Sequence, residues 1–359
     1  MKKILVYVMI LFVAGMMMLC IFSPDQEVSA SERRKLEQFP TITLENVVSG
    51  KFMERFEKYA TDQFPGRELW RSMKAWIVQK AFQQSDNNLF YEKDGHISKI
   101  EYPLNEDSVE RATKIFNRIY NEQLEGQNCK AYYSIIPDKN YFLGDGHLRM
   151  DYAKLISVME KNLDTMTYID ITELLQEDDY YKTDTHWRQE NLADVAEKLA
   201  QEMGNDVTAE YETHKIESPF YGVYHGQSAL HVPPDELRYL TNDTLESCTV
   251  YDYQNEKETT IYDLEKANGN DPYEMFLSDS ISLLSIQNPK AETKRELVLF
   301  RDSFGSSIAP LLVEGYSKVT LIDIRYIASS YVETMVDFEN ADVLFLYSTS
   351  VLNHSETLK

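Results

Sequence analysis

LVLFRDSFGSSIAPLL, residues 297–312, decides the fold, because it joins a strand to a helix through one polar turn. Residues 297–300 form a short continuous apolar run, which is typical of a strand buried on both faces. Residues 306–312 predict the start of a helix. Ser303 in the turn is lifted above the sheet, beside the free N–H groups of the helix start. The turn makes Ser303 a candidate nucleophile, while a helix-capping role for Asp302 or Ser303 stays open.

Strands and helices alternate along much of the chain. Further strands are predicted at 130–136, 166–170, 318–323 and 343–347, and helices at 108–122, 152–162, 192–200 and 329–335. This alternation predicts an α/β fold with a mostly parallel sheet flanked by helices. Ligands of such sheets bind beyond the carboxyl ends of the strands, where Ser303 would lie. Residues 205–292 are rich in β-like and turn-like stretches, which predicts an antiparallel, β-rich insertion or lid.

Asp184-Thr185-His186-Trp187 supplies the partners that a nucleophilic serine needs. Residues two apart in an extended segment point to the same side, so Asp184 and His186 can face one cleft. Together with Ser303 they are the parts of a Ser-His-Asp relay. The alternative is that Asp184 or Thr185 caps the following helix and His186 is an incidental loop residue. A metal site would need a third ligand, and no H-E-x-x-H motif or cysteine pair supplies one, so no metal or other cofactor is expected.

Three stretches resemble one known family: residues 181–187 (YKTDTHW), residues 62–67 (DQFPGR) and residues 220–230 (FYGVYHGQSAL). They are similar to the bacterial DHHW proteins. These proteins are related to the AlgJ/AlgX-type alginate O-acetylation proteins, a branch of the SGNH-hydrolase-like superfamily. With Ser303, the resemblance covers most of the chain from about residue 50 to the end.

The resemblance implies roles for the three residues. Asp184 would orient His186, His186 would act as base, and Ser303 would be the nucleophile that O-acetylates an exopolysaccharide outside the cytoplasmic membrane. At the second position of the motif, this chain has Thr185 where DHHW proteins carry a histidine. In having no histidine there, it resembles the acetylation proteins. The SGNH superfamily also uses an asparagine for the oxyanion, for which Asn353 is the candidate here.

Further side chains are predicted to line the cleft. The backbone near Phe304 and Gly305 is expected to hold the oxyanion, with Gly305 allowing close approach of a substrate. Arg301, Tyr181 and Tyr224 are predicted to contact the substrate. A tyrosine ring has an apolar face and a polar tip, which suits a sugar. The alternative, that these tyrosines fill a packing seam, stays open.

The N-terminus predicts export. Ile4 to Phe22 are 19 consecutive apolar or near-apolar residues after Met1-Lys2-Lys3. This length suits a membrane-spanning helix, and the lysines place the N-terminus in the cytoplasm. Cleavage after Ala30 as a signal peptide is the alternative. Residues 1–30 are therefore an anchor or signal peptide, 31–50 a polar linker, and 51–359 one SGNH-hydrolase-like domain that contains the insertion at 205–292.

Two amphipathic helices are predicted at the start of this domain, near 51–63 and 67–82. Phe64-Pro65-Gly66 separates them. Their aromatic stripe is interpreted as core packing rather than as a ligand face.

The formal net charge is −23, and removing residues 1–30 leaves it unchanged. Such a surface repels nucleic acid and, over most of its area, anionic lipid, so neutral or cationic glycans are the easier partners. Cys129 and Cys248 could pair in an oxidising compartment or stay free.

These observations predict an extracytoplasmic SGNH-like O-acetyltransferase or acetylesterase acting on a cell-surface polysaccharide. A transferase outside the cytoplasm needs an acetyl donor there, so a membrane acyl-carrier protein is the expected partner, by analogy with alginate acetylation. The alternative is a non-catalytic glycan-binding or scaffold protein of the cell envelope.

Overall fold

The computed structural model describes residues 2–278 and 280–359. The helices are α1 Lys2–Phe22, α2 Leu44–Val48, α3 Lys51–Asp62, α4 Arg67–Lys80, α5 Glu106–Ile119, α6 Lys139–Leu143, α7 Tyr152–Asn162, α8 Ala193–Glu202, α9 Val223–Ser228, α10 Asp243–Ser247, α11 Gly305–Leu312, α12 Ser329–Val332 and α13 Thr349–Asn353. The strands are β1 Val28–Ser29, β2 Arg34–Lys35, β3 Phe90–Lys93, β4 His96–Lys99, β5 Lys130–Ile136, β6 Thr167–Tyr168, β7 Glu212–Lys215, β8 Arg238–Thr241, β9 Thr249–Asp252, β10 Lys257–Thr259, β11 Leu283–Gln287, β12 Glu296–Arg301, β13 Lys318–Ile322 and β14 Ala341–Ser348.

The chain divides into two compact units. The N-terminal unit contains Met1–Leu89 and Val223–His231, and the sheet unit contains Phe90–Gly222 and Val232–Lys359. This division differs from the predicted boundary between residues 50 and 51. The stretch FYGVYHGQSAL is split by it, so that its first three residues belong to the sheet unit and the rest to the N-terminal unit.

The segment predicted to be a linker is folded into the N-terminal unit. Its buried Glu32 pairs with Arg67 and, at 3.1 Å, with Arg71, both on α4. Arg71 also donates from Nη2 to the carbonyl of Gly226 at 2.8 Å. A side chain at Gly226 would lie 1.6 Å from the Ser31 carbonyl oxygen, so only glycine lets α9 approach this segment. Because its buried carboxylate is paired with two guanidinium groups of α4, the segment is fixed against that helix and is not a solvated linker.

The sheet unit is built on one eight-stranded sheet in the order β10-β9-β11-β13-β12-β14-β5-β6. Strands β13, β12, β14, β5 and β6 run parallel to one another, and β11, β9 and β10 add antiparallel to the β13 edge. The predicted α/β fold with a mostly parallel sheet is confirmed. The region 205–292 is antiparallel, as expected, but three of its strands extend the main sheet, while β7 and β8 form a separate pair.

Helices cover both faces of this sheet. Side chains alternate along each strand, so Leu297 and Leu299 of β12 face one apolar cluster while Val298 and Phe300 face the other. The first cluster includes α8 and α11, and the second includes α5 and α7. Because both faces are covered, the central strands are continuous apolar runs rather than alternating ones.

Polar side chains gather beyond the carboxyl ends of the three central parallel strands. Asp302 follows β12 and accepts a hydrogen bond from the backbone N–H of Ser348, at the end of β14, over 2.8 Å. Asp138 follows β5 and accepts from the Thr349 hydroxyl at 2.7 Å and the Tyr152 hydroxyl at 3.0 Å. These bonds tie the strand ends together at the sheet edge where α/β folds place their ligands.

Cys129 and Cys248, both half-buried, are free thiols, so the predicted possibility of a disulfide between them is not realised. Burial raises the pKa of both thiols, that of Cys248 to about 11, which keeps them protonated. We expect the denatured, unreduced protein to be labelled by maleimide at both positions, as read by peptide mass spectrometry. Labelling at both positions only after reduction would contradict this assignment.

Candidate active site

Ser303 is held at the turn between β12 and α11. The carboxylate of buried Asp302 accepts from the Phe304 N–H at 3.0 Å with Oδ1, while its Oδ2 accepts from Ser348. The turn is thereby fastened to the neighbouring strand β14. The side chain that ties down this helix start is Asp302, which leaves the Ser303 hydroxyl available for another partner.

That partner is His186. Its Nε2 lies 2.7 Å from Ser303 Oγ, and its Nδ1 lies 2.6 Å from Asp184 Oδ1. Asp184 is fully buried and also accepts from the His186 backbone N–H at 3.1 Å. A carboxylate beside Nδ1 favours the tautomer with the proton there, so Nε2 presents its lone pair to the serine O–H. The three residues selected from the sequence thus form one continuous chain of hydrogen bonds.

Trp187 joins the histidine loop to the serine helix. Its indole Nε1–H points to the Phe304 carbonyl at 3.1 Å and to the Ser307 hydroxyl at 2.9 Å. The side chain is completely buried, and its ring meets that of Phe304 edge-on at 5.5 Å. Because Trp187 adjoins His186, this contact sets the distance between imidazole and serine.

Tyr273 was not anticipated from the sequence. It comes from the short turn Pro272–Met275, and its ring stacks on the imidazole of His186 with 3.8 Å between centroids and 6° between planes. Its hydroxyl donates to Ser307 Oγ at 2.9 Å. The tyrosine therefore holds the imidazole plane and is anchored to the same hydroxyl as Trp187. No local pattern around Tyr273 signals this role.

The loop before Asp184 is held by buried charges on two sides. Asp235 accepts from the N–H groups of Lys182 and Thr183 at 2.7 and 2.8 Å and from the Thr183 hydroxyl at 2.5 Å. From the other side, Lys139 donates from Nζ to the Tyr181 carbonyl at 2.8 Å and to that of Lys182 at 3.3 Å. In this short segment, Asp235 thus binds backbone N–H groups and Lys139 binds backbone carbonyls.

Gly222 presses directly on Asp184. A Cβ at this position would lie 2.2 Å from Asp184 Cβ and 2.5 Å from its Oδ2. The Gly222 N–H donates to the Thr183 hydroxyl at 2.9 Å. Only a residue without a side chain fits here, which gives a physical reason for the glycine in the stretch FYGVYHGQSAL.

Phe304 and Gly305, predicted to hold the oxyanion through their backbone, lie in the turn at the start of α11. The Phe304 N–H is bound to Asp302, and the Gly305 N–H donates to the Asp302 carbonyl at 3.0 Å. Gly305 makes room for the stem of Arg301, since a Cβ there would lie 2.5 Å from Arg301 Cβ. Both N–H groups thus have partners within the turn, and the predicted contacts with an oxyanion and substrate stay a prediction.

Arg301 and Tyr181 are fully buried. Arg301 lies 3.7 Å from the carboxylate of Asp323, and Tyr181 packs edge-on against Phe220 at 4.9 Å. For Tyr181 the packing alternative describes the structure, and neither residue presents a surface to substrate. Tyr224 belongs to the N-terminal unit, so its predicted place in the cleft stays a prediction.

Asn353 is committed elsewhere. Its Oδ1 accepts from the Asn105 N–H at 2.7 Å, and its Nδ2 donates to the Pro103 carbonyl at 3.2 Å. Its amide supports the loop before α5 rather than facing Ser303. Among the residues that the structure describes, no three His, Cys, Asp or Glu side chains gather as metal ligands would.

No family profile and no curated protein matches the chain. Among solved structures, a DHHW family protein from Eubacterium siraeum is similar at 20% identity over 76% of this chain and 95% of that chain, with a TM-score of 0.60. Bacillus cereus PatB1, solved with a sulfonyl adduct, is similar at 20% identity over 73% of this chain and 95% of its own, also with a TM-score of 0.60. The O-acetyltransferase domain of Pseudomonas putida AlgJ is similar at 11% identity over 75% of this chain and 93% of its own, with a TM-score of 0.46. The first two likenesses confirm the fold that the sequence resemblance predicted.

We expect Trp187→Phe to lower activity by about tenfold or more, because a smaller aromatic ring remains while the indole N–H bond that positions the histidine loop is lost. Losing this buried hydrogen bond should also cost about 0.5–1.5 kcal/mol of stability, since Ser307 Oγ and the Phe304 carbonyl keep other donors. Tyr316→Phe is the matched control, since it removes a buried hydroxyl 3.1 Å from Asp342, a residue outside the candidate site. Equal losses of turnover in the two variants, measured with a chromogenic acetyl ester, would show that Trp187 acts through stability alone.

Desolvation lowers the pKa of Lys139 from 10.5 to about 7, although Asp235 and Asp184 pull it upward. Between these two values the unfolded lysine holds a proton that the folded one has lost. Raising the pH across this window therefore favours the folded state. We expect the wild type to gain stability relative to Lys139→Met between about pH 7 and about pH 9.5, as measured by urea unfolding. Parallel pH profiles would contradict the assignment.

Proposed function

We propose that the chain is an extracytoplasmic SGNH-like O-acetyltransferase or acetylesterase that acts on a cell-surface or exopolysaccharide glycan. The observation that carries the proposal is the chain of short hydrogen bonds from Asp184 through His186 to Ser303. A nucleophile, a base and a group that orients the base are the parts that acyl transfer through a covalent intermediate requires. The fold shared with a DHHW family protein and with PatB1, which was solved with a sulfonyl adduct, supports the same reading.

In the first half of the reaction, Ser303 Oγ attacks the carbonyl carbon of an acetyl donor while His186 Nε2 takes the hydroxyl proton. Asp184 stabilises the imidazolium that forms. The tetrahedral intermediate collapses, the bond to the leaving group breaks, and His186 returns the proton to the departing oxygen. The products are acetyl-Ser303 and the deacetylated donor.

In the second half, His186 Nε2 removes a proton from a glycan hydroxyl, whose oxygen attacks the acetyl-Ser303 carbonyl. Collapse returns the proton to Ser303 Oγ and releases an acetylated glycan. Water in place of the glycan hydroxyl gives acetate, which is the esterase reaction. In both halves the oxyanion lies near the amino-terminal, positive end of α11, which begins two residues after Ser303.

The proposed setting follows from the N-terminus and the charge. Among the described helices, α1 is long and apolar enough to span a membrane, with a mean hydropathy of 2.8 over an 18-residue stretch within Lys3–Phe22, a property that signal sequences share. We propose that it is retained as a single-pass anchor with the rest of the chain outside the cytoplasm. The net charge of −23 favours a neutral or cationic glycan as acceptor. A membrane acyl-carrier protein would supply the acetyl group.

The test is turnover of a chromogenic acetyl ester by the full chain in detergent, with and without oligosaccharide acceptors. We expect Ser303→Ala and His186→Ala each to lower the rate by about a thousandfold or more, because each removes a covalent or proton-transfer step. Ser306→Ala is the matched control. It lies three residues further along the chain, within α11, is buried, and its Oγ has no hydrogen-bond partner among the described residues.

Loss of turnover in both triad variants, with Ser306→Ala unaffected, would establish a working serine–histidine pair. Acetylation of an added oligosaccharide would then separate the transferase from the esterase. No turnover by folded wild-type protein, with acceptors present, would contradict the proposal and favour a glycan-binding or scaffold protein.

A further inference from the structure

The helices α3 and α4 of the N-terminal unit are amphipathic but hardly buried. Within α3 no residue is buried, and within α4 only Ala75 is. The prediction that the aromatic stripe packs in a core is therefore wrong for α4. Its exposed apolar side chains are Leu69, Trp70, Met73, Trp76 and Ile77. Their spacing puts them on one side of the helix, beside an open groove of about 840 Å³ between α3 and α4.

The junction between these helices is tied to the chain just outside α1. Gln26 donates from its backbone N–H to the side chain of Gln63 at 2.8 Å, and the Gln63 amide donates back to the Gln26 carbonyl at 2.8 Å. The Tyr59 hydroxyl donates to the Asp25 carboxylate at 2.9 Å. Both sides of this contact belong to the N-terminal unit. The end of α3 is thus fastened to the chain four residues after the last residue of α1.

Four residues limit how far this contact can lie from the end of α1. An extended chain covers at most about 3.6 Å per residue, so Gln26 lies within about 14 Å of Phe22. Leu69, in the first turn of α4, and Phe64 line the same cavity as Ser23 and Pro24, which directly follow α1. The exposed start of α4 therefore lies beside the end of α1.

The dimensions of a bilayer place this region at the lipid surface. A helix of 20 residues is about 30 Å long, which matches the hydrocarbon thickness, and headgroups add about 5–7 Å on each side. If α1 spans the membrane, Phe22 lies at the hydrocarbon boundary and the start of α4 lies at headgroup level. Tryptophan with flanking lysine and arginine is the composition that this zone favours.

The charge of the unit agrees with a lipid neighbour. Residues 23–89 carry ten acidic and ten basic side chains and are neutral, whereas the whole chain carries −23. The repulsion from anionic lipid that the chain as a whole would experience is therefore absent from this segment. On α4 itself, Lys80 is exposed and can extend its ammonium group toward phosphates, while the Lys74 ammonium donates to Asn88 Oδ1 at 2.6 Å.

We propose that the apolar face of α4, with Trp70 and Trp76, lies in the outer interface of the membrane that α1 spans. The N-terminal unit is then held against the lipid at two places, by the anchor and by this face. It would not swing freely on a flexible tether. This face contacts lipid rather than a partner protein, because the membrane-spanning α1 holds the start of α4 at the level of the headgroups.

Tryptophan fluorescence tests this arrangement, since the chain has three tryptophans and the third, Trp187, is fully buried in the sheet unit. The full chain is placed in phospholipid nanodiscs, with intact mass showing that α1 is present. Discs with ordinary acyl chains are compared with discs whose chains are brominated near the headgroup. Bromine quenches tryptophan only at short range, so the comparison reports contact with lipid.

We expect brominated lipid to quench the greater part of the wild-type emission. The double variant Trp70→Phe/Trp76→Phe should lose that quenching, because only Trp187 remains, and each single variant should lose part of it. Phenylalanine at exposed positions leaves the fold intact, which circular dichroism checks. Equal wild-type emission in both discs would overturn the proposal, as would quenching that persists in the double variant.

Discussion

The bond from the Trp187 indole to Phe304 and Ser307 is the constraint on which the candidate site depends. It crosses from the loop that carries the acid and the histidine to the helix that follows the serine. Without such a link, the separation of imidazole and hydroxyl would be set by a polar loop with no secondary structure. With it, the two segments meet through a buried aromatic ring and a rigid donor, and the separation of Nε2 and Oγ is 2.7 Å.

The buried polar groups around this link hold the loop and the helix in position and do not themselves face a substrate. Ser307 accepts from both Trp187 and Tyr273, and Tyr273 in turn covers the imidazole. Buried Lys139 and Asp235 bind the backbone that leads to Asp184. Each of these groups is satisfied only in one arrangement of the loop, so a displaced loop would leave a charge or a carbonyl unpaired in the interior.

The sequence predicted what depends on local pattern. The apolar run before Ser303, the turn and the following helix start are contiguous, so one stretch of sequence predicts the setting of Ser303. Asp184 and His186 lie two residues apart, and their common side follows from extended geometry. Tyr273, Lys139 and Asp235 reach the site only through tertiary folding, and no period or motif marks them. The α4 stripe was misread because an amphipathic pattern specifies an apolar face but not what covers it. Edge addition of β9 to β11 was missed for a related reason, since antiparallel strands look alike in a lid and at a sheet edge.

Covalent labelling tests whether Ser303 is an activated nucleophile, and it requires no knowledge of the glycan. The full chain would be treated with a sulfonyl fluoride and the modified peptide located by mass spectrometry. In this reaction Oγ displaces fluoride while His186 takes the proton. We expect stoichiometric sulfonylation of Ser303 in the wild type and a much lower labelling rate in His186→Ala. Labelling spread over several serines, or an equal rate in His186→Ala, would contradict this expectation.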